Sequence, residues 1–374
     1  MSDDSATVDS ATVDSANVSN VANVANVANV VADVARIADS TNTANVVNTA
    51  NTAGSTNFVY SANTDDSAAA VPSANVGTLA GFTIPRLGMG TMALAIEGRP
   101  ASRDQAIETI HAALDAGVRY LDTAWSYYLP SRPGTGEPED MGYGEYLVRD
   151  ALATWHGPSE AKDEVLVATK TGWLRTLDGQ GRYGWQADAR PETMIANAKE
   201  SARRLGVDAL DLLYSHCNDP QVPYEDQMGA LKQLVDEGVA KAVGISRIGN
   251  EDIETAHRIL GPSLVAVQNQ FSPVHRDPEH TMETCERFGL AFVCWSPLGG
   301  FLDPFNEHLF DRFREVAERH DCSYQRVTLA WELARYGRLF TIPSARNPRE
   351  IRDSFQATEL TLTKDELAYL DGNA

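Results

Sequence analysis

From residue 84 onward, short apolar runs alternate with longer segments whose apolar positions recur every three or four residues. The short runs predict buried strands, and the longer segments predict amphipathic helices. Strands are predicted at 84–91, 118–121, 165–170, 210–216, 241–246, 264–269, 291–296 and 339–343. Helices are predicted at 102–116, 143–155, 191–205, 223–237, 250–260, 279–288, 307–320, 323–336 and 347–356. Eight strands separated by helices predict an α/β fold, a closed (β/α)8 (TIM) barrel with parallel strands.

The first 75 residues follow a different pattern. Ser-Ala-Thr-Val-Asp repeats at the start, and Ala-Asn-Val then recurs through Val30 at a spacing that suits neither a helix nor a strand. The segment contains one Phe, one Tyr and no Leu, so it cannot bury enough apolar surface to offset the entropy of ordering. A short β-solenoid is the alternative, but it has too few turns to build a core. We expect a disordered low-complexity tail, residues 1–75, followed by a barrel domain, residues 76–374.

The chain is acidic, with a formal net charge of −21. This charge argues against nucleic acid or an anionic membrane as a partner. Positive charge is carried by 25 arginines and only six lysines. An acidic, lysine-poor composition resembles the proteins of salt-loving microbes, although an ordinary acidic enzyme is the alternative.

The expected location is the cytoplasm. No run approaches the roughly 18 apolar residues of a membrane helix, and the N-terminus lacks a basic-then-apolar signal pattern. Four cysteines without paired spacing suit a reducing compartment, and they suit neither a disulfide framework nor a zinc site. His275 and His280 have no further ligands near them in the sequence, so we place both on the surface and expect no metal.

Polar residues of catalytic type stand at the ends of several predicted strands. Asp122 follows the second strand, with Tyr127 five residues further on, and Lys170, His216 and Ser246 end three later strands. The carboxyl ends of parallel strands are where α/β barrels assemble their active sites. We therefore expect these side chains to meet at one end of the barrel.

Gly88-Met-Gly-Thr-Met-Ala93 matches the dinucleotide-binding fingerprint of Rossmann folds. A Rossmann unit needs a helix that opens directly from this motif. Here the residues up to Pro100 include a Gly and a Pro, and the predicted helix begins only at Ser102. We therefore reject the Rossmann interpretation.

Several short motifs, each weak alone, occur together in one order. They are Gly88-Met-Gly-Thr91, Asp122-Thr-Ala-x-x-Tyr127, Thr169-Lys170, Leu212-Leu-Tyr-Ser-His216, Gly244-Ile-Ser246, Gln268, Trp295-Ser-Pro-Leu-Gly299 and Ile342-Pro-Ser-Ala-Arg-Asn-Pro348. In this order the chain, over about residues 82–372, resembles the aldo-keto reductases. The Ser246-Arg247 pair is similar to the branch that contains the potassium-channel β-subunits and general bacterial members.

The resemblance implies an oxidoreductase that uses NADP(H) or NAD(H) to interconvert a small aldehyde or ketone and its alcohol. It implies that Tyr127 is the general acid, with Lys170 lowering a pKa that is about 10 in free tyrosine. Asp122 then pairs with Lys170, and His216 orients the substrate carbonyl. Taken singly, Asp122 and Lys170 also fit a structural ion pair at the barrel end, and His216 fits a core histidine.

The resemblance also implies a set of cofactor contacts. Ser246 and Gln268 match the residues that hold the nicotinamide carboxamide, and Trp295 matches the aromatic residue under the ring, although a core tryptophan is the alternative. The remaining predicted contacts are Gly90, Thr91, Arg247, Ser296, Leu298, Gly299, Ser344, Arg346, Glu350 and Ser354. Arg346 falls in the segment that meets the adenosine 2′-phosphate, whereas an acid at Glu350 would repel it. NADP(H) is therefore favoured, and NAD(H) remains possible.

Two loops depart from the family pattern. The connection 129–142 and the segment after Lys170, which carries Trp173, Tyr183 and Trp185, are both long, and we expect both to overhang the pocket. The alternative function is a non-catalytic, nicotinamide-binding regulatory subunit like the channel β-subunits. Such a subunit does not need all four tetrad residues, so their joint presence favours an enzyme.

Overall fold

The computed structural model describes residues 75–130, 141–276, 278–299 and 307–372. Within these residues the strands are β1 (Val76–Leu79), β2 (Phe82–Pro85), β3 (Met89–Gly90), β4 (Tyr120–Asp122), β5 (Leu166–Thr171), β6 (Trp173–Leu177), β7 (Tyr183–Ala187), β8 (Leu212–Ser215), β9 (Val243–Ser246), β10 (Leu264–Gln270), β11 (Ala291–Trp295) and β12 (Leu339–Thr341). Eight of them, β3, β4, β5 and β8 to β12, form one parallel sheet in chain order. The other four form two antiparallel hairpins.

The parallel sheet closes on itself. The Gly88 amide donates to the Thr341 carbonyl at 2.9 Å, and the Gly90 amide donates to the Pro343 carbonyl at 3.0 Å. These bonds join the first barrel strand to the last one, so no edge is left open. The predicted (β/α)8 barrel is confirmed.

Helices connect the strands and cover the outside of the barrel. They are α1 (Arg103–Ala116), α2 (Tyr143–Thr154), α3 (Ser159–Asp163), α4 (Pro191–Leu205), α5 (Tyr224–Asp236), α6 (Asn250–Leu260), α7 (Glu279–Phe288), α8 (Asp311–Arg319), α9 (Tyr324–Leu333), α10 (Pro348–Phe355) and α11 (Lys364–Asp371). The Ser102 hydroxyl caps α1 by accepting from the Gln105 amide. Periodicity placed nine of these helices. It missed α3, which has five residues, and α11, which lies beyond the last predicted element.

The first predicted strand, 84–91, is wrong as a single element. Phe82–Pro85 pairs with β1 in an antiparallel hairpin, and only Met89–Gly90 belongs to the barrel. The hairpin turns at Ala80 and Gly81, both with positive φ. Its apolar residues pack against the barrel interior, which is why the whole stretch is apolar and reads as one strand.

The barrel interior is filled by side chains from the strands and from this first hairpin. This inner core contains Leu79, Ile84, Tyr120, Leu166, Leu212, Tyr214, Val293 and Phe340, each at most 1% exposed. Full burial of a side chain of this size stabilises the fold by about 1.5–3 kcal/mol. Gly244 has a packing role here, because a Cβ at this position would lie 2.3 Å from a ring carbon of Tyr214. The filled interior leaves space for a ligand only at the ends of the barrel.

Some predictions concern residues outside the described part of the chain. Residues 1–74 of the predicted tail and residues 131–140 of the first long loop belong there. Across the described ranges, no helix combines the length and apolar character needed to cross a membrane.

Candidate active site

The four predicted catalytic residues meet at the carboxyl ends of the barrel strands. Asp122 ends β4, Tyr127 follows in the next loop, Lys170 lies near the end of β5, and His216 comes directly after β8. All four are between 1% and 7% exposed. The Lys170 ammonium forms an ion pair with Asp122 and donates to the Thr123 carbonyl at 2.8 Å. It lies 5.1 Å from the centre of the Tyr127 ring.

The Asp122 carboxylate is held from several sides. Its Oδ2 accepts from the Gln268 amide at 2.8 Å and from the Tyr120 hydroxyl at 3.2 Å. The Thr91 hydroxyl donates to the Asp122 carbonyl at 3.0 Å. Charged groups this deep need such partners. With the carboxylate immobilised, Lys170 has a defined position beside Tyr127.

Burial raises the pKa of Tyr127 above its usual value of 10. The nearby Lys170 ammonium acts in the opposite direction, as the sequence predicted, but burial outweighs it. The expectation of a lowered pKa is therefore wrong for the protein alone. The phenol keeps its proton at neutral pH, which is the form that can donate one.

His216 is neutral at neutral pH. Burial, with the positive charges of Lys170 and Arg247, holds the pKa of this imidazole well below its usual 6.5. Its Nδ1 lies 3.5 Å from the Ser126 hydroxyl oxygen, and its ring centre lies 5.8 Å from that of Tyr127. The side chain is thus a hydrogen-bonding group beside the tyrosine.

A cavity of about 280 Å³ opens above these residues. It is lined by thirteen of the predicted site residues: Gly90, Asp122, Tyr127, His216, Ser246, Arg247, Gln268, Trp295, Ser296, Leu298, Gly299, Ser344 and Arg346. Four predicted residues do not line it. Thr91 and Lys170 lie beneath its wall, bonded to Asp122, and Glu350 and Ser354 belong to α10.

The segment near Arg346 differs in detail from the expectation. Glu350 accepts from the backbone amide of Arg346 at 2.8 Å and from the Asn347 side chain at 2.6 Å. It therefore bonds back from the first turn of α10, whose N-cap is Asn347, and it does not form a side-chain ion pair with Arg346. Ser354 is 6% exposed and faces the protein interior. Of this group, only the arginine lines the cavity.

Six lining residues had no assigned role in the sequence: Met92, Ala93, Trp173, Pro297, Ile342 and Pro343. Pro297, Ile342 and Pro343 belong to sequence motifs in which other residues were predicted as contacts. Met92 and Ala93 directly follow the predicted contacts Gly90 and Thr91. Trp173 comes from the hairpin of β6 and β7, so the second long loop does overhang the pocket as expected. The sequence shows that most of these residues are neighbours of predicted contacts, but it does not show which side chains point toward the cavity.

The polar and aromatic groups of the cavity fit a nicotinamide dinucleotide. Ser246 and Gln268 offer hydrogen bonds, Trp295 offers a flat ring, and Arg346 offers a cation that suits a phosphate. In the described residues, no three His, Cys, Asp or Glu side chains are grouped as a metal site requires. Of the two histidines expected at the surface, His280 is exposed and His275 is half-buried.

Residues 86–373 match the model of the Aldo/keto reductase family. The chain belongs to this family. Its members are oxidoreductases that act on small carbonyl compounds with a nicotinamide cofactor, so this coarse activity holds for the chain as well.

Similar proteins agree with the family. An uncharacterised oxidoreductase of Schizosaccharomyces pombe, C215.11c, is 29% identical over 312 residues, 82% of this chain and 92% of that protein. Pyridoxine 4-dehydrogenase of Escherichia coli is 28% identical over 309 residues, 80% of this chain and 98% of that enzyme. The solved structure of an aldo/keto reductase from Klebsiella pneumoniae, in complex with NADP and acetate, shares the fold with a TM-score of 0.62. It is 23% identical and covers 78% of this chain and 91% of its own.

Proposed function

We propose that the protein interconverts an aldehyde or ketone and its alcohol, with Tyr127 as the group that donates and accepts the proton. The observation that carries this proposal is the buried arrangement beneath the cavity. The Lys170 ammonium, held by Asp122 and the Thr123 carbonyl, lies 5.1 Å from the Tyr127 ring centre. A binding subunit needs no buried ion pair aimed at a phenol, so the non-catalytic alternative finds no support here.

Each side chain has a definite part in the reaction. In the reducing direction, Tyr127 gives its hydroxyl proton to the carbonyl oxygen, and the Lys170 ammonium stabilises the phenolate that remains. Neutral His216 donates a hydrogen bond to the same oxygen in the tautomer that carries its proton on Nε2, in which Nδ1 is free to accept from the Ser126 hydroxyl 3.5 Å away. The nicotinamide supplies or accepts the hydride. The oxidation of the alcohol uses the same groups in reverse.

We propose that NADP(H) is favoured, with weak discrimination against NAD(H). Ser246 and Gln268 hold the carboxamide and Trp295 faces the ring. The remaining backbone and hydroxyl contacts are Gly90, Ser296, Leu298, Gly299 and Ser344, whereas Thr91 acts indirectly, through its bond to the Asp122 carbonyl. Arg346 is the group suited to the 2′-phosphate, because its guanidinium is always charged. The NADP complex of the relative from Klebsiella pneumoniae supports this choice, whereas an identity of 28% to pyridoxine 4-dehydrogenase does not carry its substrate over.

The test is a comparison of neighbouring tyrosines. Tyr127→Phe removes the proton donor, so we expect kcat for an aldehyde to fall about 10²–10⁴-fold while the Kd for NADPH is unchanged. Tyr128→Phe loses only a 3.4 Å bond to the Arg175 carbonyl, so its kcat should stay within about threefold. Equal losses in both variants, or full activity of Tyr127→Phe, contradict the proposal.

A further inference from the structure

Arg247 holds an unusual position at the reacting end of the cavity. It follows β9 with a left-handed backbone, φ +57°, a strained conformation for a residue other than glycine. Its guanidinium carbon lies 4.3 Å from the ring centre of Trp173 and 4.5 Å from that of Trp295. The side chain is thus held between two indoles, in the wall that separates the reaction cavity from an adjoining cavity of about 360 Å³.

Unlike the half-buried Arg247, the arginines that are buried in the described structure have acceptors for their guanidinium groups. Arg86 donates to three backbone carbonyls, Arg175 pairs with Glu97, and Arg204 pairs with Glu145 and Glu200. Arg247 differs, because among the described residues no carboxylate pairs with it and no acceptor takes a hydrogen bond from its guanidinium.

Among the described residues, the groups that face Arg247 leave its charge uncompensated. The titratable groups that act on it are the Cys217 thiol and the Tyr127 phenol, and burial holds the pKa of both above their usual values. Both are therefore neutral at pH 7. In contrast, the positive charge of Lys170 is balanced by Asp122. The reacting end of the cavity carries a net positive charge in a chain whose net charge is −21.

This charge stands beside the reacting groups. Trp173, which contacts Arg247 on one side, also packs against His216 with ring centres 4.7 Å apart. Contacts to two flat rings hold the plane of a guanidinium and leave the N–H groups at its edge for an acceptor. A planar, charged, two-pronged donor is the group that binds a carboxylate best.

We propose that Arg247 binds a carboxylate carried by the carbonyl substrate, so that the preferred substrates are aldehydes or ketones that bear an acid group. The inference rests on the proposed function and names the substrate class of the same site. The body of such a substrate lies against Trp173 and Trp295, and its carbonyl lies at Tyr127 and His216.

The experiment compares acids with esters of the same shape. The kcat/KM values with NADPH are measured for 2-, 3- and 4-carboxybenzaldehyde and for their methyl esters. We expect the wild type to prefer at least one acid over its ester by about tenfold or more. Arg247→Gln should lose this preference, so that its acid-to-ester ratio of kcat/KM falls to about one, and the Kd for NADPH is measured alongside. The matched control is Arg203→Gln on α4, an exposed arginine paired with Glu200, which should keep the preference.

The outcomes separate the explanations. A preference that persists in Arg247→Gln overturns the inference. A higher Kd for NADPH, with equal losses for acids and esters, assigns Arg247 to the cofactor phosphates and also overturns it. If the wild type binds NADPH but reduces neither acids nor esters, the proposed function fails.

A second measurement needs no variant and no turnover. Benzoate binding to the cofactor-free wild type is followed by tryptophan fluorescence, because Trp173 and Trp295 flank Arg247. We expect benzoate to bind at least tenfold more tightly than methyl benzoate, as a charge-assisted contact requires. Equal binding of the two overturns the inference.

Discussion

Asp122 links three parts of the site through a single carboxylate. Lys170 from β5, Gln268 from β10 and Tyr120 from its own strand all bond to it. Removal of one partner from a buried ion pair costs about 3–5 kcal/mol, so this arrangement tolerates little change. Lys170 therefore has a compensated charge and a fixed position, whereas Arg247 has neither a carboxylate nor a hydrogen-bond acceptor in the described part of the chain. That contrast separates a positioning cation from a cation that is available to a ligand.

At the residue scale, Glu350 should influence the choice of cofactor. Its carboxylate accepts from the Arg346 amide and the Asn347 side chain at the start of α10, so it adds negative charge near the proposed 2′-phosphate. We expect Glu350→Gln to raise kcat/KM for NADPH by about two- to fivefold, because an exposed charge interaction contributes about 0.2–1 kcal/mol. The value for NADH should not change.

The control for this measurement is Glu359→Gln, an exposed acid beyond the far end of α10. It makes the same change in net charge away from the cavity. If both variants shift the NADPH to NADH ratio equally, the effect belongs to the overall charge. A ratio that stays constant in Glu350→Gln means that this carboxylate does not act on the phosphate.

At the scale of elements, the hairpin of β6 and β7 contributes Trp173 to the cavity wall. Register places Arg175 opposite Trp185, and the guanidinium carbon of this arginine lies 4.3 Å from the Trp185 ring centre. Trp185 stacks on Trp173 at 4.5 Å, and Trp173 contacts Arg247. The ion pair of Arg175 with Glu97 ties the hairpin to the loop after β3. A rigid aromatic wall of this kind suits substrates with a flat or apolar body.

A helix outside the site supplies a prediction about pH. Glu332 on α9 is fully buried, accepts from the Thr341 hydroxyl at 2.8 Å and has no ion-pair partner in the described structure. Burial raises the pKa of this carboxyl well above 4.5. The folded protein therefore keeps a proton that the unfolded chain releases above pH 4.5, and the stability that the neutral carboxyl provides is lost as pH rises from 4.5 toward the folded pKa.

Glu332→Gln mimics the protonated form and should remove this dependence. We expect the variant to exceed the wild type in free energy of unfolding by up to about 3 kcal/mol at pH 7, with no difference near pH 4. Urea unfolding at pH 4, 5.5, 7 and 8.5 measures it. The exposed Glu318→Gln on α8 is the control and should stay within about 0.5 kcal/mol of the wild type at every pH. A constant offset of Glu332→Gln across all four pH values contradicts the protonation argument.

At the scale of the whole molecule, the net charge of −21 sets the response to salt. Like charges on a compact surface repel, and dissolved ions screen them. We expect Tm to rise between dilute buffer and molar KCl. Sucrose of equal osmolality is the control for excluded-solute effects, which do not depend on charge. A Tm that is flat or falls in KCl contradicts the prediction of a salt-adapted surface.

The N-terminal boundary supplies the last prediction. The Asn75 side chain donates to the Thr358 carbonyl at 2.6 Å, and its oxygen accepts from Arg86 at 3.0 Å. Removal of residues 1–74 should leave activity and Tm unchanged, because a low-complexity segment makes few stabilising contacts. Removal of residues 1–75 should lower the free energy of unfolding by about 1–3 kcal/mol, since Arg86 then loses a partner. Loss of soluble protein in the shorter deletion would show that the tail packs on the barrel.

The amino-acid sequence alone was enough to predict the barrel and most of its helices, because the alternation of buried strands and amphipathic helices is a local pattern that each segment carries alone. It also placed Asp122, Lys170 and His216 together, since carboxyl ends of parallel strands share one edge of the sheet. The family motifs, which are contiguous in the chain, added Tyr127 and most of the residues that line the cavity.

Contacts between residues that are distant in the chain could be identified only once the folded structure was known. Glu97 with Arg175, and Arg247 between Trp173 and Trp295, depend on how three loops fold over one opening. Burial raised the pKa of Tyr127 because the surrounding shell excludes water, and no spacing in the chain reports that shell. The apolar stretch 84–91 was predicted as one strand, but it is divided between a hairpin and a barrel strand, because strand pairing depends on partners that are distant in the chain. The local sequence pattern determines which residues are buried, and tertiary packing determines which residues they contact.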